Sequence, residues 1–138
     1  METFARAIIY NYLIKGSDAH ARNYSILITP GDVRLAPLYD LNATLGFGDA
    51  GQANQLAMRV GGEGRFARIS SGNWRLFAGE LQLPEEWVLD QLLLMIEHLP
   101  KALAEACAST DLVGVADDTL FRLQERVGEW CRTARAAT

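Results

Sequence analysis

Cysteine, lysine and histidine are all scarce in this sequence. Its 138 residues include two cysteines, two histidines and two lysines, Lys15 and Lys101. Cys107 and Cys131 are far apart and form no Cys-x-x-Cys pair, so neither a zinc site nor a disulfide framework is expected. Both are predicted to be small buried or half-buried side chains of a reduced, cytoplasmic protein.

Excess positive charge and long apolar runs are also absent. Thirteen basic residues face 17 acidic ones, and the net charge of −4 gives no general attraction for nucleic acid. Polar side chains interrupt the longest apolar stretch, residues 87–99, and residues 1–14 lack a basic leader. Neither a membrane span nor a signal peptide is therefore expected. With 49% hydrophobic residues, a chain of this length indicates one soluble globular domain.

The first part of the chain predicts a helix, a polar loop and a β-hairpin. Residues 2–15 place apolar side chains at helical spacing, and Gly16 is expected just past the end of this helix. The polar stretch 17–23 follows. Two segments rich in β-branched and aromatic residues, 24–29 and 33–36, are then predicted to pair through a Pro-Gly-Asp turn.

The second half of the chain is predicted to be helical. A helix is expected within residues 66–81, and apolar positions recur at helical spacing over 84–108 and 118–135. The glycine-rich segment 46–64 is interpreted as a loop. The sequence therefore predicts a mainly α-helical fold with one small β-hairpin after the first helix.

Candidate chemistry is confined to residues 1–60 of this single predicted domain, with 65–138 as a helical scaffold. Asp18 is followed by Asn23 five positions later, and Asp40 lies beyond the predicted hairpin. Kinases use such a set: one aspartate orients the hydroxyl nucleophile, while an asparagine and a second aspartate hold Mg²⁺. The spacing alone is common by chance, so the surrounding pattern has to support it.

That wider pattern resembles the C-terminal region of HipA-type kinases, which are serine/threonine kinase toxins of bacterial toxin–antitoxin pairs. The similar runs are YNYLI at 10–14, SDAHARNYS at 17–25, RLAPLYDL at 34–41 and LAMRVGG at 56–62. Trp74 is also similar. The resemblance implies a protein-kinase-like helical C-lobe of an enzyme that uses ATP and Mg²⁺, and binding of both is expected to be weak or absent without an N-lobe.

The resemblance also implies roles for single residues. Asp18 is expected to be the catalytic aspartate, and Asn23 and Asp40 are expected to be the Mg²⁺ ligands. His20 and Tyr39 are expected to lie against the bound nucleotide.

The family's nucleotide-binding N-lobe has no counterpart in these residues. We therefore expect the isolated chain to be inactive, and to associate with itself or with a companion chain that supplies the N-lobe. The family further implies a protein substrate and a DNA-binding antitoxin, so contact with nucleic acid would be indirect. A different class stays open: a non-catalytic, kinase-derived helical module that binds a partner. Metal-dependent nucleotide binding would separate the two.

Overall fold

In a computed structural model of the chain, which describes residues 1–46, 54–108 and 117–138, the first helix lies at the centre of the core. This helix, α1 (Glu2–Leu13), has apolar side chains on more than one face. Ile8, Ile9, Tyr12 and Leu13 are each at most 2% exposed. A helix that is apolar on several sides has to be covered on several sides, and two later helices pack against it.

The end of α1 has the hydrogen bonds of a Schellman motif. Lys15 takes the left-handed conformation, with a φ of 50°. The backbone N–H of Gly16 donates to the carbonyl oxygen of Asn11 at 2.7 Å. The helix therefore ends two residues before the predicted boundary, and the left-handed residue is Lys15 rather than the glycine after it.

The predicted hairpin is confirmed. Strand β1 (Ile26–Thr29) pairs antiparallel with β2 (Asp32–Leu35), and Thr29 lies opposite Asp32. The two-residue turn between the strands contains Gly31 at a φ of 83°, where glycine has no steric penalty. The hairpin turns the chain back toward the end of α1.

A second antiparallel hairpin corrects the loop predicted over 46–64. Strand β3 (Gln55–Val60) pairs with β4 (Glu63–Arg65). The turn, Gly61 and Gly62, has positive φ at both positions, as a type I′ turn requires. Here the glycines close a hairpin rather than form a loop. The part of the predicted loop that contains Gly48 and Gly51 lies outside the described residues.

Three further helices build the scaffold, and the mainly α fold is confirmed. They are α2 (Ser71–Glu80), α3 (Glu85–Cys107) and α4 (Asp117–Ala136). Helix α3 continues through Pro100 as one element. Both cysteines are free, with Cys107 half-buried and Cys131 buried, as predicted. Within the described ranges, no helix is both long enough and apolar enough to cross a bilayer.

An aromatic cluster joins α1 to the rest of the fold. The Tyr12 ring meets Trp74 at 5.3 Å and Trp130 at 5.4 Å between centroids, both nearly edge-to-face, and Phe66 at 6.2 Å. The Trp130 indole Nε1–H also donates to the carbonyl oxygen of Tyr12 at 2.9 Å. The cluster thus combines buried apolar area with a satisfied polar group, and it fixes the end of α1 against α2 and α4.

We expect Trp74→Ala to lower the free energy of unfolding by about 3–5 kcal/mol, because it removes a fully buried indole from this cluster. The matched control is Leu76→Ala on the same helix. Leu76 is 62% exposed, so its loss should cost about 0.5 kcal/mol or less. Urea unfolding followed by far-ultraviolet circular dichroism measures both. Equal losses in the two variants would contradict the assignment of the core.

Candidate functional site

Asn23 and Asp40 meet directly. Asn23 ends a short 3₁₀ turn (Ala21–Asn23) and is 6% exposed. Its Nδ2 donates to the Asp40 Oδ2 at 2.9 Å. These residues are 17 positions apart, and the first hairpin returns the chain so that they can touch. The structure therefore brings together the two predicted Mg²⁺ ligands.

The free oxygens of this pair suit a hard cation. Asn23 Oδ1 is buried and has no hydrogen-bond partner among the residues that the structure describes. A buried carbonyl oxygen without a partner is destabilising, and a cation would satisfy it. Amide and carboxylate oxygens are the ligands that Mg²⁺ prefers. The donor set therefore fits Mg²⁺.

The pair is not a complete metal cage. No group of three His, Cys, Asp or Glu side chains lies together in the parts of the chain described here. Mg²⁺ in proteins often takes only one or two carboxylates and completes its shell with water and substrate phosphates. Asp40 is exposed, with a φ of 55° in the left-handed region. Such a site can accept a cation that arrives with a phosphate ligand.

Asp18 and His20 lie in the loop before this pair, and both are exposed. The backbone orders the loop: the His20 N–H donates to the Asp18 carbonyl oxygen at 2.8 Å, and the Asn23 N–H donates to the His20 carbonyl oxygen at 2.9 Å. Within the described ranges the Asp18 carboxylate has no hydrogen bond or ion pair. The structure therefore places Asp18 and His20 at the surface and does not join their side chains to the Asn23–Asp40 pair.

Tyr39 connects the segment that follows β2 to the loop that contains Arg22. Its hydroxyl donates to the carbonyl oxygen of Arg22 at 2.6 Å and lies 3.3 Å from the Ser25 Oγ. The side chain is 47% exposed, so part of it still faces solvent. These contacts hold the residue beside Asp40, which is a positioning role that the sequence did not predict.

Asn11 is a buried residue that sequence reasoning missed. It is 1% exposed, and its Nδ2 donates to the Ala7 carbonyl oxygen and to the Tyr24 hydroxyl, each at 3.0 Å. Burial raises the pKa of Tyr24, and the hydrogen bond from Asn11 partly offsets that rise. A Cβ on Gly16 would lie 2.5 Å from the Asn11 Oδ1. Asn11 therefore controls both ends of the loop that carries Asp18, and its polarity within an apolar helix was the available signal.

The segment after Asp40 is anchored on the end of α1. The Thr44 Oγ1 donates to the Lys15 carbonyl oxygen at 2.7 Å, and the Arg126 Nη1 donates to the Leu45 carbonyl oxygen at 3.3 Å. The Lys15 ammonium lies 4.3 Å from the centroid of the Trp130 ring. Burial lowers the pKa of Lys15, and the charge of Arg126 lowers it further. Both sides of the site are thus attached to the same helix end.

Comparisons with known proteins identify the family to which the chain belongs. The sequence matches the family model described as the HipA-like C-terminal domain over residues 1–105. It is 30% identical over 104 residues to the kinase homologue Y4mE of Sinorhizobium fredii, covering 75% of this chain and 24% of that protein. It is 32% identical over 97 residues to the serine/threonine-protein kinase toxin HipA of Shewanella oneidensis, covering 70% and 22%. The chain thus spans about a quarter of the length of these relatives.

A solved structure shows the same architecture. A chain in the complex of HipA, HipB and operator DNA from the Shewanella oneidensis toxin–antitoxin system superimposes with a TM-score of 0.81 and 25% identity. The match covers 96% of this chain and 31% of that one. The likeness extends through the helical scaffold as well as the loop and hairpins.

We expect Gly16→Ala to destabilise the fold by about 1–3 kcal/mol, because the new methyl group would overlap the Asn11 amide. Gly79→Ala is the control. A Cβ at Gly79 meets nothing within 4 Å in α2, so this variant should be neutral or up to about 1 kcal/mol more stable. Thermal or urea unfolding measures both. A Gly16→Ala protein as stable as the Gly79→Ala protein would show that the close approach is unimportant.

Proposed function

Because the chain belongs to the HipA-like C-terminal domain family, we propose that it is the helical C-terminal lobe of an ATP-dependent serine/threonine protein kinase of a bacterial toxin–antitoxin system. In this proposal Asp18 is the catalytic aspartate, and Asn23 and Asp40 hold Mg²⁺. His20 and Tyr39 lie against the nucleotide. The protein works in the cytoplasm, where its two free cysteines stay reduced.

One observation supports this function above the others. The buried Asn23 amide donates to Asp40 and leaves its own oxygen without a partner in the described part of the chain. The buried Asn11 oxygen also lacks a partner there, but Asn11 contacts the Ala7 carbonyl and the Tyr24 hydroxyl, whereas Asn23 contacts a carboxylate. An amide oxygen kept free beside a carboxylate is what a cation site requires.

Each residue has a separate task in the proposed reaction. Asp18 orients the hydroxyl of a protein serine or threonine and takes up its proton as the oxygen attacks the γ-phosphorus of ATP. The bond between that phosphorus and the β,γ-bridging oxygen breaks, and ADP leaves. The Asn23 oxygen and the Asp40 carboxylate hold the cation. When bound, Mg²⁺ neutralises charge on the phosphates. The exposure of Asp18 suits this task, because the protein substrate has to reach it from solvent.

The C-lobe residues are not sufficient for this reaction. Phosphoryl transfer depends on positioning, and kinases clamp the phosphates with a glycine-rich loop and a strand lysine. Neither lysine of this chain lies on a strand in the structure. We propose that residues 1–60 carry the catalytic segment and 65–138 the scaffold of one domain, and that a companion lobe completes the site.

The first hairpin offers a surface for that companion. Ile26, Ile28 and Val33 are 63–78% exposed, although all three are large aliphatic side chains. Apolar surface of this kind favours association, with a second copy of the chain or with a chain that supplies the N-lobe. By family, a DNA-binding antitoxin is a further proposed partner.

The alternative function is a non-catalytic helical module that binds a partner protein. The same exposed hairpin face would serve such a module, but a module would give no reason for a free amide oxygen at Asn23 beside the Asp40 carboxylate. Binding of Mg²⁺ with nucleotide therefore discriminates between the two functions.

We expect weak, Mg²⁺-dependent binding of ATP. In a nuclear magnetic resonance titration of the 138-residue chain, the amide signals of Asn23 and Asp40 should shift with ATP only when Mg²⁺ is present. Asp40→Asn should abolish the shifts, because it removes the carboxylate charge, whereas Asp18→Asn should retain them. Shifts that are absent, or that do not depend on Mg²⁺, would favour the helical module.

We also expect the chain alone to transfer no phosphate from radiolabelled ATP to itself or to added protein. Each missing positioning element commonly costs several kcal/mol of transition-state stabilisation, and a whole lobe supplies many of them. The control is Asp18→Ala, assayed with and without the products of neighbouring genes. Labelling by the isolated wild-type chain that disappears in Asp18→Ala would contradict the expected inactivity.

A further inference from the structure

A cavity lies beside the loop that carries Asp18. It has a volume of about 610 Å³ and is open to solvent, between Ser17 and the β3–β4 hairpin. Three arginines line it: Arg59, Arg65 and Arg68. None of the roles proposed above uses these arginines.

The backbone under the cavity is held firmly. Leu56 and Val60 are at most 5% exposed and anchor β3 in the core. The Asn73 Nδ2 donates to the Gly61 carbonyl oxygen at 3.2 Å, and a Cβ on Gly61 would lie 2.2 Å from the Asn73 carbonyl oxygen. The turn of the hairpin therefore packs tightly on the start of α2. The arginines project from a fixed frame rather than from a free loop.

The charges of the cavity are not balanced. Within the described ranges, none of the three arginine side chains forms an ion pair or a hydrogen bond. Glu63 also lines the cavity, but its Oε1 accepts hydrogen bonds from the backbone N–H groups of Gly64 and Arg65, each at 2.8 Å. The hydrogen bond from the Arg65 backbone N–H is the main reason why the pKa of Glu63 lies below its usual value. Among the described residues that line the cavity, three cationic groups and one carboxylate leave an excess of positive charge, although the net charge of the protein is −4.

We propose that this cavity binds an acidic segment of the protein substrate, through carboxylate or phosphorylated side chains that flank the phosphoacceptor residue. This substrate class rests on the proposed kinase function. Guanidinium groups pair with carboxylates and phosphates in a two-pronged geometry, which makes arginine the suitable residue. Ser17 lines the cavity and directly precedes Asp18, so their Cα atoms are about 3.8 Å apart. An anion held in the cavity would therefore lie near the backbone of Asp18, whose side chain is not among those that line the cavity.

The geometry favours a peptide over nucleic acid. The positive charge comes from three arginines at one pocket, whereas a phosphate backbone presents its charge along its whole length. The rest of the chain carries more acidic than basic groups, whereas nucleic-acid binders spread cationic charge along a face.

Peptide binding to the 138-residue chain tests the proposal. Three fluorescent peptides contain one serine flanked by glutamates, by phosphoserines or by glutamines. We expect the two acidic peptides to bind in a salt-sensitive manner and the glutamine peptide to bind roughly tenfold more weakly or not at all. The preference between carboxylate and phosphate shows which source supplies the anion.

Variants assign the binding to the cavity. Arg65→Gln and Arg68→Gln should weaken binding of the acidic peptides roughly tenfold. Arg132→Gln on the exposed surface of α4 should leave binding unchanged. Circular dichroism verifies the fold of each variant. Three results would each overturn the proposal. The first is equal affinity for the glutamine peptide and the acidic peptides, and the second is an equal loss of affinity in all three variants. The third is displacement of the peptide by duplex DNA at lower concentration.

The same proteins separate this proposal from the kinase function. Asp40→Asn should lose Mg²⁺-dependent ATP binding but keep the acidic peptide, and Arg65→Gln should do the reverse. Peptide discrimination without any nucleotide binding by the wild-type chain would overturn the kinase function alone. Nucleotide binding without peptide discrimination would overturn the acidic-segment proposal alone.

Discussion

The contact between Tyr12 and Trp130 is the interaction on which the site depends. Tyr12 directly precedes the last residue of α1, and its carbonyl oxygen and ring both contact the indole of Trp130 on α4. This fixes the point at which the chain leaves the helix and turns into the loop of Asp18. The Lys15 ammonium lies over the same Trp130 ring and adds a second contact between the end of α1 and α4. The position of every candidate residue is therefore set by packing some distance from the chemistry.

Two buried asparagines then order the residues around the candidate site through their hydrogen bonds. Asn11 and Asn23 are the polar residues buried in the core of the described chain, and in each the Oδ1 lacks a partner there. Asn11 crowds Gly16 and holds Tyr24, so it shapes the loop from the inside. Asn23 faces outward to Asp40, where its free oxygen has a chemical use. Unsatisfied polar atoms tend to collect at such functional positions, because the stability of the surrounding core tolerates their cost.

Sequence patterns predicted most of the scaffold because its elements have strong periodicity. The apolar repeats over α3 and α4 and the Pro-Gly turn of the first hairpin were sufficient. The sequence does not predict the second hairpin, because six glycines between 46 and 64 indicate a loop. The alternation of Leu56, Met58 and Val60 with polar or small residues, followed by Gly-Gly, was a strand-and-turn signal within the same segment.

The candidate site was predicted only in part. Residue type and spacing, read with the resemblance, identified Asn23 and Asp40, and the structure brings them into contact. Spacing could not show that Asn11 is the buried organiser of the loop, since burial depends on contacts distant in sequence. Nor could it show the arginine-lined cavity, which exists only when β3, β4 and Ser17 come together.

The alternation along β3 makes the segment sensitive to its length. Gln55, Ala57 and Arg59 face solvent, while Leu56 and Val60 face the core. Successive side chains of a strand point to opposite sides, so a one-residue insertion or deletion before Arg59 that is not absorbed by the irregular β3–β4 register would exchange the two sets. The guanidinium would then be directed into the aromatic core. The segment should therefore tolerate changes at Gln55 and Ala57 during evolution, while the number of residues between Gln55 and the Gly61 turn stays constant.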